Sequence, residues 1–237
     1  MRAETRHSLK QDKFSQATMG AADWTVQHRS PLIWVIGLAV AVLAIGGGVW
    51  YYISQQDEKA SLALSQALRT AETPIRPANM PAQPGFPSFT SSNERDTAAS
   101  KQYQEIVDKY SHTRSADVAR YLLGVSAANL GNFAAAEKNL GEVAGVYNKD
   151  LSSLAKFALG SVYTKDKKDA QAIEIYKQLM DKPTNAVSKV SVQFELANLY
   201  MSKQQPLEAK RIYEQIQKEN PATETAALAQ SKAAAIK

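Results

Sequence analysis

A chain of 237 residues with 44% hydrophobic side chains is long enough to bury a core in one or two domains. It contains no cysteine, which excludes disulfide staples, cysteine nucleophiles, thiolate metal sites and iron–sulfur clusters. The formal net charge of +5 is spread thinly, with five Lys/Arg against three Asp/Glu in residues 1–29 and 23 against 20 in the remainder, a balance that argues against nucleic acid as a partner.

Residues 1–31 read as a leader on the cytoplasmic side of a membrane. Within it Phe14, Ala17, Ala21 and Trp24 recur at helical spacing, as in a short amphipathic helix lying on a membrane surface, and the same residues suit a loosely ordered tail.

From Ser30 to Gln56 no residue is charged, and Leu32–Ile53 supplies 22 mostly apolar residues. At 1.5 Å per residue such a helix covers roughly 30 Å of hydrocarbon, so 32–53 is expected to be a transmembrane helix. Trp34 lies near one end and Trp50, Tyr51 and Tyr52 at the other, where amphipathic rings prefer the headgroup level. A cleaved signal peptide fits less well, because the preceding segment is long and bulky aromatics stand where small residues would be needed. Lys10, Lys13 and Arg29 outweigh Lys59 and Arg69 at comparable distance, which favours a cytoplasmic N-terminus and exported C-terminal residues. Gly37, Ala41, Ala44 and Gly48 form a small-residue stripe that would let another transmembrane helix approach, a second copy of the chain included.

Residues 54–116 are expected to hold a first, divergent helix pair. Glu58–Thr73 would continue from the span, and Ala99, Tyr103 and Ile106 mark the second helix. Between them, 74–93 carries five of the nine prolines and is expected to be an extended, mobile insertion. Pro77, Met80, Pro81, Pro84 and Pro87 suit an exposed spacer better than a polyproline II ligand.

Residues 117–221 contain three copies of a helical hairpin at spacings of 36 and 37 residues. The seventh and eighth positions read Leu123-Gly124, Leu159-Gly160 and Leu196-Ala197, and the eleventh Ala127, Tyr163 and Tyr200. In the second helix Ala136, Ala172 and Ala209 are each followed four residues later by Leu140, Tyr176 and Tyr213. Close approach of two helices requires a small residue facing the neighbour, and the bulky one a turn later fills the space beside it. Pro221 ends the third unit, and the alanine-rich 222–237 is expected to be a capping helix.

This pattern resembles the tetratricopeptide repeat, departing from it where a tryptophan is usual and Arg120, Lys156 and Gln193 stand instead. The expected fold is all-α, a single N-terminal transmembrane helix followed by a tetratricopeptide-like helical-hairpin solenoid. Stacked hairpins curve, so equivalent positions of the first helices converge on a concave groove. There the fifth positions read Tyr121, Phe157 and Phe194, an aromatic file with Val125, Asn129, Ser161, Thr164, Asn198 and Met201 beside it. The file suits capture of a protein or peptide segment, and rings at this position also serve packing. A carboxylate clamp is not supported, since the ninth positions are Val125, Ser161 and Asn198.

No phosphate loop, nucleophile elbow or paired metal-ligand spacing is present, and His7, His28 and His112 would be divided by the membrane. No catalytic residue, metal or cofactor is expected. From Leu9 onward, with Leu9–Trp24 and Tyr103–Ala119 the more telling stretches, the chain is similar to the bacterial family of the ancillary Sec translocon subunit. That resemblance implies a protein of the bacterial inner membrane, single-pass, with exported repeats acting as a scaffold or chaperone-like factor on exported proteins near the translocon. A scaffold of another envelope assembly, in cell division, secretion or a pilus, is the alternative, and an enzyme a remote one.

Overall fold

The computed structural model describes residues 29–77, 79–81 and 87–236, without the side chain of Leu32, and every regular element among them is a helix. The expected amphipathic stretch Phe14–Trp24 and Pro84 lie outside the described residues. The chain divides at Ser54/Gln55 into two units, described separately.

Helix α1 runs unbroken from Arg29 to Glu72. Up to Ser54 its large apolar side chains, among them Trp34, Leu43 and Trp50, stand exposed. This segment makes α1 long and apolar enough to cross a membrane, by length and composition. Gly46, Gly47 and Gly48 stay helical in a row. Each glycine costs about 1 kcal/mol in a water-exposed helix, chiefly in backbone freedom, whereas in lipid an unsatisfied backbone group costs several kcal/mol and favours the helix.

In the second unit, residues 55–72 of α1 bury Ala60 and Ala67 with Ala99, Tyr103 and Ile106 of α2 (Ser92–Lys109) and Ala116, Ala119 and Leu123 of α3 (Arg114–Asn129). Alanine on α1 lets the bulkier α2 side chains come close. Asp57 Oδ1 accepts the backbone N–H of Ser115 at 2.9 Å, so α1 also satisfies one of the free amides at the start of α3.

The two ends of the proline-rich insertion are held together. Arg76 N–H donates to the Phe89 carbonyl at 3.0 Å, Arg76 Nε to Ser88 Oγ at 2.6 Å, and its guanidinium also reaches the Met80 carbonyl. One arginine offers enough donors in a fixed fork to tie both ends of the insertion together. Helix α2 starts at Ser92, inside the expected insertion, because Ser91 caps the amide of Glu94.

The three hairpins are α3 with α4 (Phe133–Val143), α5 (Lys149–Lys165) with α6 (Asp169–Asp181), and α7 (Lys189–Ser202) with α8 (Pro206–Glu219); α9 (Glu224–Ala234) follows. Each first helix ends alike. Asn132, Lys168 and Gln205 donate their N–H to the carbonyls of Ala127, Tyr163 and Tyr200 at 2.8, 2.8 and 2.9 Å. The residue before each donor, Gly131, Lys167 or Gln204, has φ of 78°, 61° or 58°. This is the Schellman turn, which needs a left-handed residue, and only the first copy places glycine there.

Within each hairpin the eighth position meets the bulky residue of the second helix. A Cβ added to Gly124 would lie 2.7 Å from Leu140 Cγ, and one added to Gly160 would lie 2.6 Å from Tyr176 Cε1. One continuous core joins the α3–α4 and α5–α6 hairpins to α7 through Leu140, Leu159, Tyr176, Val192 and Leu196. A second gathers Ala197, Ala209, Tyr213 and Ile216 with Ala229, Ala233 and Ile236, so the C-terminal helix closes the stack.

Candidate functional site

The first helix of each hairpin touches the first helix of the next, α3 with α5 and α5 with α7, while each second helix packs on the first helix of the following unit. Consecutive first helices thus form one wall, and equivalent positions on them lie along a common line.

Tyr121, Phe157 and Phe194 stand on that wall, each half-buried. Phe157 leans on Tyr176 with ring centroids 6.2 Å apart at 58°, and Phe194 on Tyr213 at 6.0 Å and 47°. These are tilted contacts of the favourable kind, so each ring is held by the second helix of its own hairpin while one side stays accessible. The file is both packing and surface. Val125 is half-buried on the core, and Ser161 is half-buried beside it on the wall. Thr164 donates its hydroxyl to the Gly160 carbonyl at 3.0 Å. Asn129, Asn198 and Met201 are exposed, and Asn198 Oδ1 lies 3.4 Å from the Tyr213 hydroxyl. None of these nine side chains is charged.

Burial keeps the tyrosines of this region neutral. It raises Tyr121, pushes Tyr176 up to about 12, and raises Tyr213 with a further contribution from the Glu195 charge.

The stripe Gly37, Ala41, Ala44 and Gly48 lies on the first unit, where a Cβ at Gly37 or Gly48 would meet open space.

Three polar groupings escaped the sequence reading. Where the repeat pattern usually has tryptophan, Arg120 pairs with Glu142 at 2.7 Å, and the fully buried Gln193 donates to Glu219 at 3.1 Å. Glu219 also takes Lys189 at 2.8 Å and Gln215 at 2.8 Å, which hold its carboxyl below the usual range. Between the first two hairpins Glu137 accepts the Tyr163 hydroxyl at 3.1 Å and Lys168 Nζ at 2.6 Å, and burial together with Glu137 raises Tyr163. The third is the Asp57 contact with Ser115. Only the recurrence of Arg120, Lys156 and Gln193 hinted that the usual tryptophan position carries polar chemistry. Among the described residues no three His, Asp or Glu side chains converge as a metal ion would require.

The profile of the tetratricopeptide repeat-like domain matches residues 23–237. No curated protein matches the chain. Among solved structures, the chain is similar to the nearly identical TPR-like repeats assigned to a kinesin light chain of Podosopora anserina, at 18% identity and a TM-score of 0.54, covering 75% of this chain and 84% of that one. At that identity the likeness concerns the fold. With the profile spanning nearly its whole length, the chain belongs to the tetratricopeptide repeat-like domain family.

Proposed function

We propose that this protein is a single-pass scaffold whose repeats hold protein segments on the exported face of a bacterial inner membrane, as a chaperone-like factor for proteins leaving the Sec translocon. Repeats of this family suggest an interaction scaffold in general terms. The observation that carries the finer reading is the half-buried aromatic file of Tyr121, Phe157 and Phe194 with exposed Asn198 and Met201 in a chain that also has an apolar helix long enough to span a bilayer. Apolar rings edged by amides accept extended or helical segments with little demand on sequence. Residues 1–31 would then be the cytoplasmic leader, 32–53 the span, and Gly37, Ala41, Ala44 and Gly48 its contact with a neighbouring helix.

A photo-reactive residue at Met201 or Asn198, both exposed, tests this in native membranes. Recovery of translocon subunits or unfolded exported chains supports the proposal. Recovery instead of division, secretion or pilus components assigns the same wall to another envelope assembly. Protease protection of residues 55–237 in intact cells, with cleavage after the outer face is opened, checks the topology independently.

A further inference from the structure

At the starts of α3 and α5 a cleft of about 520 Å³ opens between successive hairpins. Its lining includes Arg114, Asp117, Val118, Tyr147, Lys149 and Leu151. Val118 and Leu151 are half-buried and give it an apolar floor. Tyr147, in the turn between α4 and α5, is completely exposed. Arg114 and Lys149 are exposed on either side, and among the described residues neither is paired with a carboxylate. The remaining charge, Asp117, is half-buried with Arg120 and Asp57 as its charged neighbours, so the accessible charge of the cleft is positive. Val118 stands one helical turn before Tyr121 on α3, so this part of the cleft floor neighbours the first ring of the aromatic file.

A tyrosine left wholly in water beside unpaired cations and an apolar floor has the composition of a recognition surface rather than of a folded core. We propose that this cleft anchors a protein partner by an aliphatic or aromatic side chain flanked by aspartate or glutamate. The apolar group lies on Val118, Leu151 and the Tyr147 ring, and the flanking carboxylates meet Arg114 and Lys149. The proposal rests on the reading that the repeats hold protein segments, and it adds the chemistry of the segment.

The probes are nine-residue peptides, acetylated and amidated so that no terminal charge contributes, with the core Asp-Leu-Phe-Asp, its Asn-Leu-Phe-Asn and Lys-Leu-Phe-Lys counterparts, and a thymidine oligonucleotide. Binding to the full chain in mild detergent is read by fluorescence anisotropy. The acidic peptide should bind at least about tenfold more tightly than the asparagine peptide, and the doubly substituted Arg114→Gln/Lys149→Gln chain should lose that margin with its melting temperature unchanged. Tyr147→Ala should weaken both peptides.

Equal binding of the acidic and asparagine peptides, an unaltered Gln/Gln variant, or an oligonucleotide that competes as well as the acidic peptide would overturn the proposal. Met201→Glu separates the two claims. If it weakens peptide capture while Arg114 and Lys149 prove irrelevant, the wall stands and the cleft falls. Failure of every peptide to bind removes both.

Discussion

Gly160 and Tyr176 share one space: the tyrosine ring occupies the position that a side chain at residue 160 would need, with Cε1 2.6 Å from the missing Cβ. The ring is buried and also braces Phe157, so it has no free direction in which to yield. Gly160→Ala should destabilise the repeats by about 1–3 kcal/mol, the usual cost of overpacking a tight contact. Tyr176→Ala alone should cost about 3–5 kcal/mol. Because both substitutions act on one contact, adding Gly160→Ala to Tyr176→Ala should cost little more, a non-additivity that thermal or urea melts of the four chains would reveal.

The turns between paired helices predict a gain in stability. Lys167 and Gln204 hold the left-handed conformation that Gly131 holds in the first hairpin, with φ of 61° and 58° against 78°. An L residue there costs roughly 1–2 kcal/mol, partly offset by the greater freedom that glycine loses on folding. Lys167→Gly and Gln204→Gly should each raise stability by about 0.5–1 kcal/mol, and Gly131→Ala should lower it by a similar amount. Lys167 and Gln204 are exposed and make no ion pair among the described residues, so a fall in melting temperature on substitution to glycine would contradict the turn geometry.

Asp57 ties α1 to the first full repeat by accepting the Ser115 amide at 2.9 Å. Asp57→Ala should cost about 1 kcal/mol and speed hydrogen exchange at Ser115, as loss of a helix cap does. Asp57→Asn keeps the acceptor and should preserve most of that protection. It also removes a charge that raises Asp117, so the Asp117 carboxyl should titrate at lower pH in this variant, by carbon-detected NMR.

The stack was legible because its cause is periodic. Leu123-Gly124, Leu159-Gly160 and the alanines of the second helices recur at fixed offsets, and a recurring contact leaves a recurring sequence. The recurrence of Tyr121, Phe157 and Phe194 was visible for the same reason, but not that Phe157 and Phe194 rest half-buried on Tyr176 and Tyr213. Contacts made once were not. Nothing in the spacing of Asp57 and Ser115, 58 residues apart, announces a cap, and Arg76 closing the proline-rich insertion depends on a fork of donors that composition does not describe. Tyr147 falls in a turn, outside any period, and the exposure that makes it informative belongs to the fold.

Glu219 and Asp117 should impose opposite pH dependences on the same domain. Lys189 at 2.8 Å, then Gln215 and Gln193, hold the folded Glu219 carboxyl below its ordinary 4.5. The unfolded chain therefore binds this proton more readily, and the stability Glu219 contributes is present above pH 4.5 and lost as the pH falls through its depressed folded value. Asp117 is raised above its ordinary 3.8 by burial and by Asp57, with Arg120 opposing. Here the folded chain binds the proton more readily, so stability is gained as the pH falls through the raised value towards 3.8. Urea melts between pH 7 and 3 should show a shallower loss on the acid side for Glu219→Gln than for the parent, starting from a lower stability at pH 7. Asp117→Asn should be more stable than the parent at pH 7 and should lose that advantage as the pH drops. If both variants track the parent at every pH, the Lys189–Glu219 pair and the burial of the Asp117 carboxylate are not energetically coupled to folding.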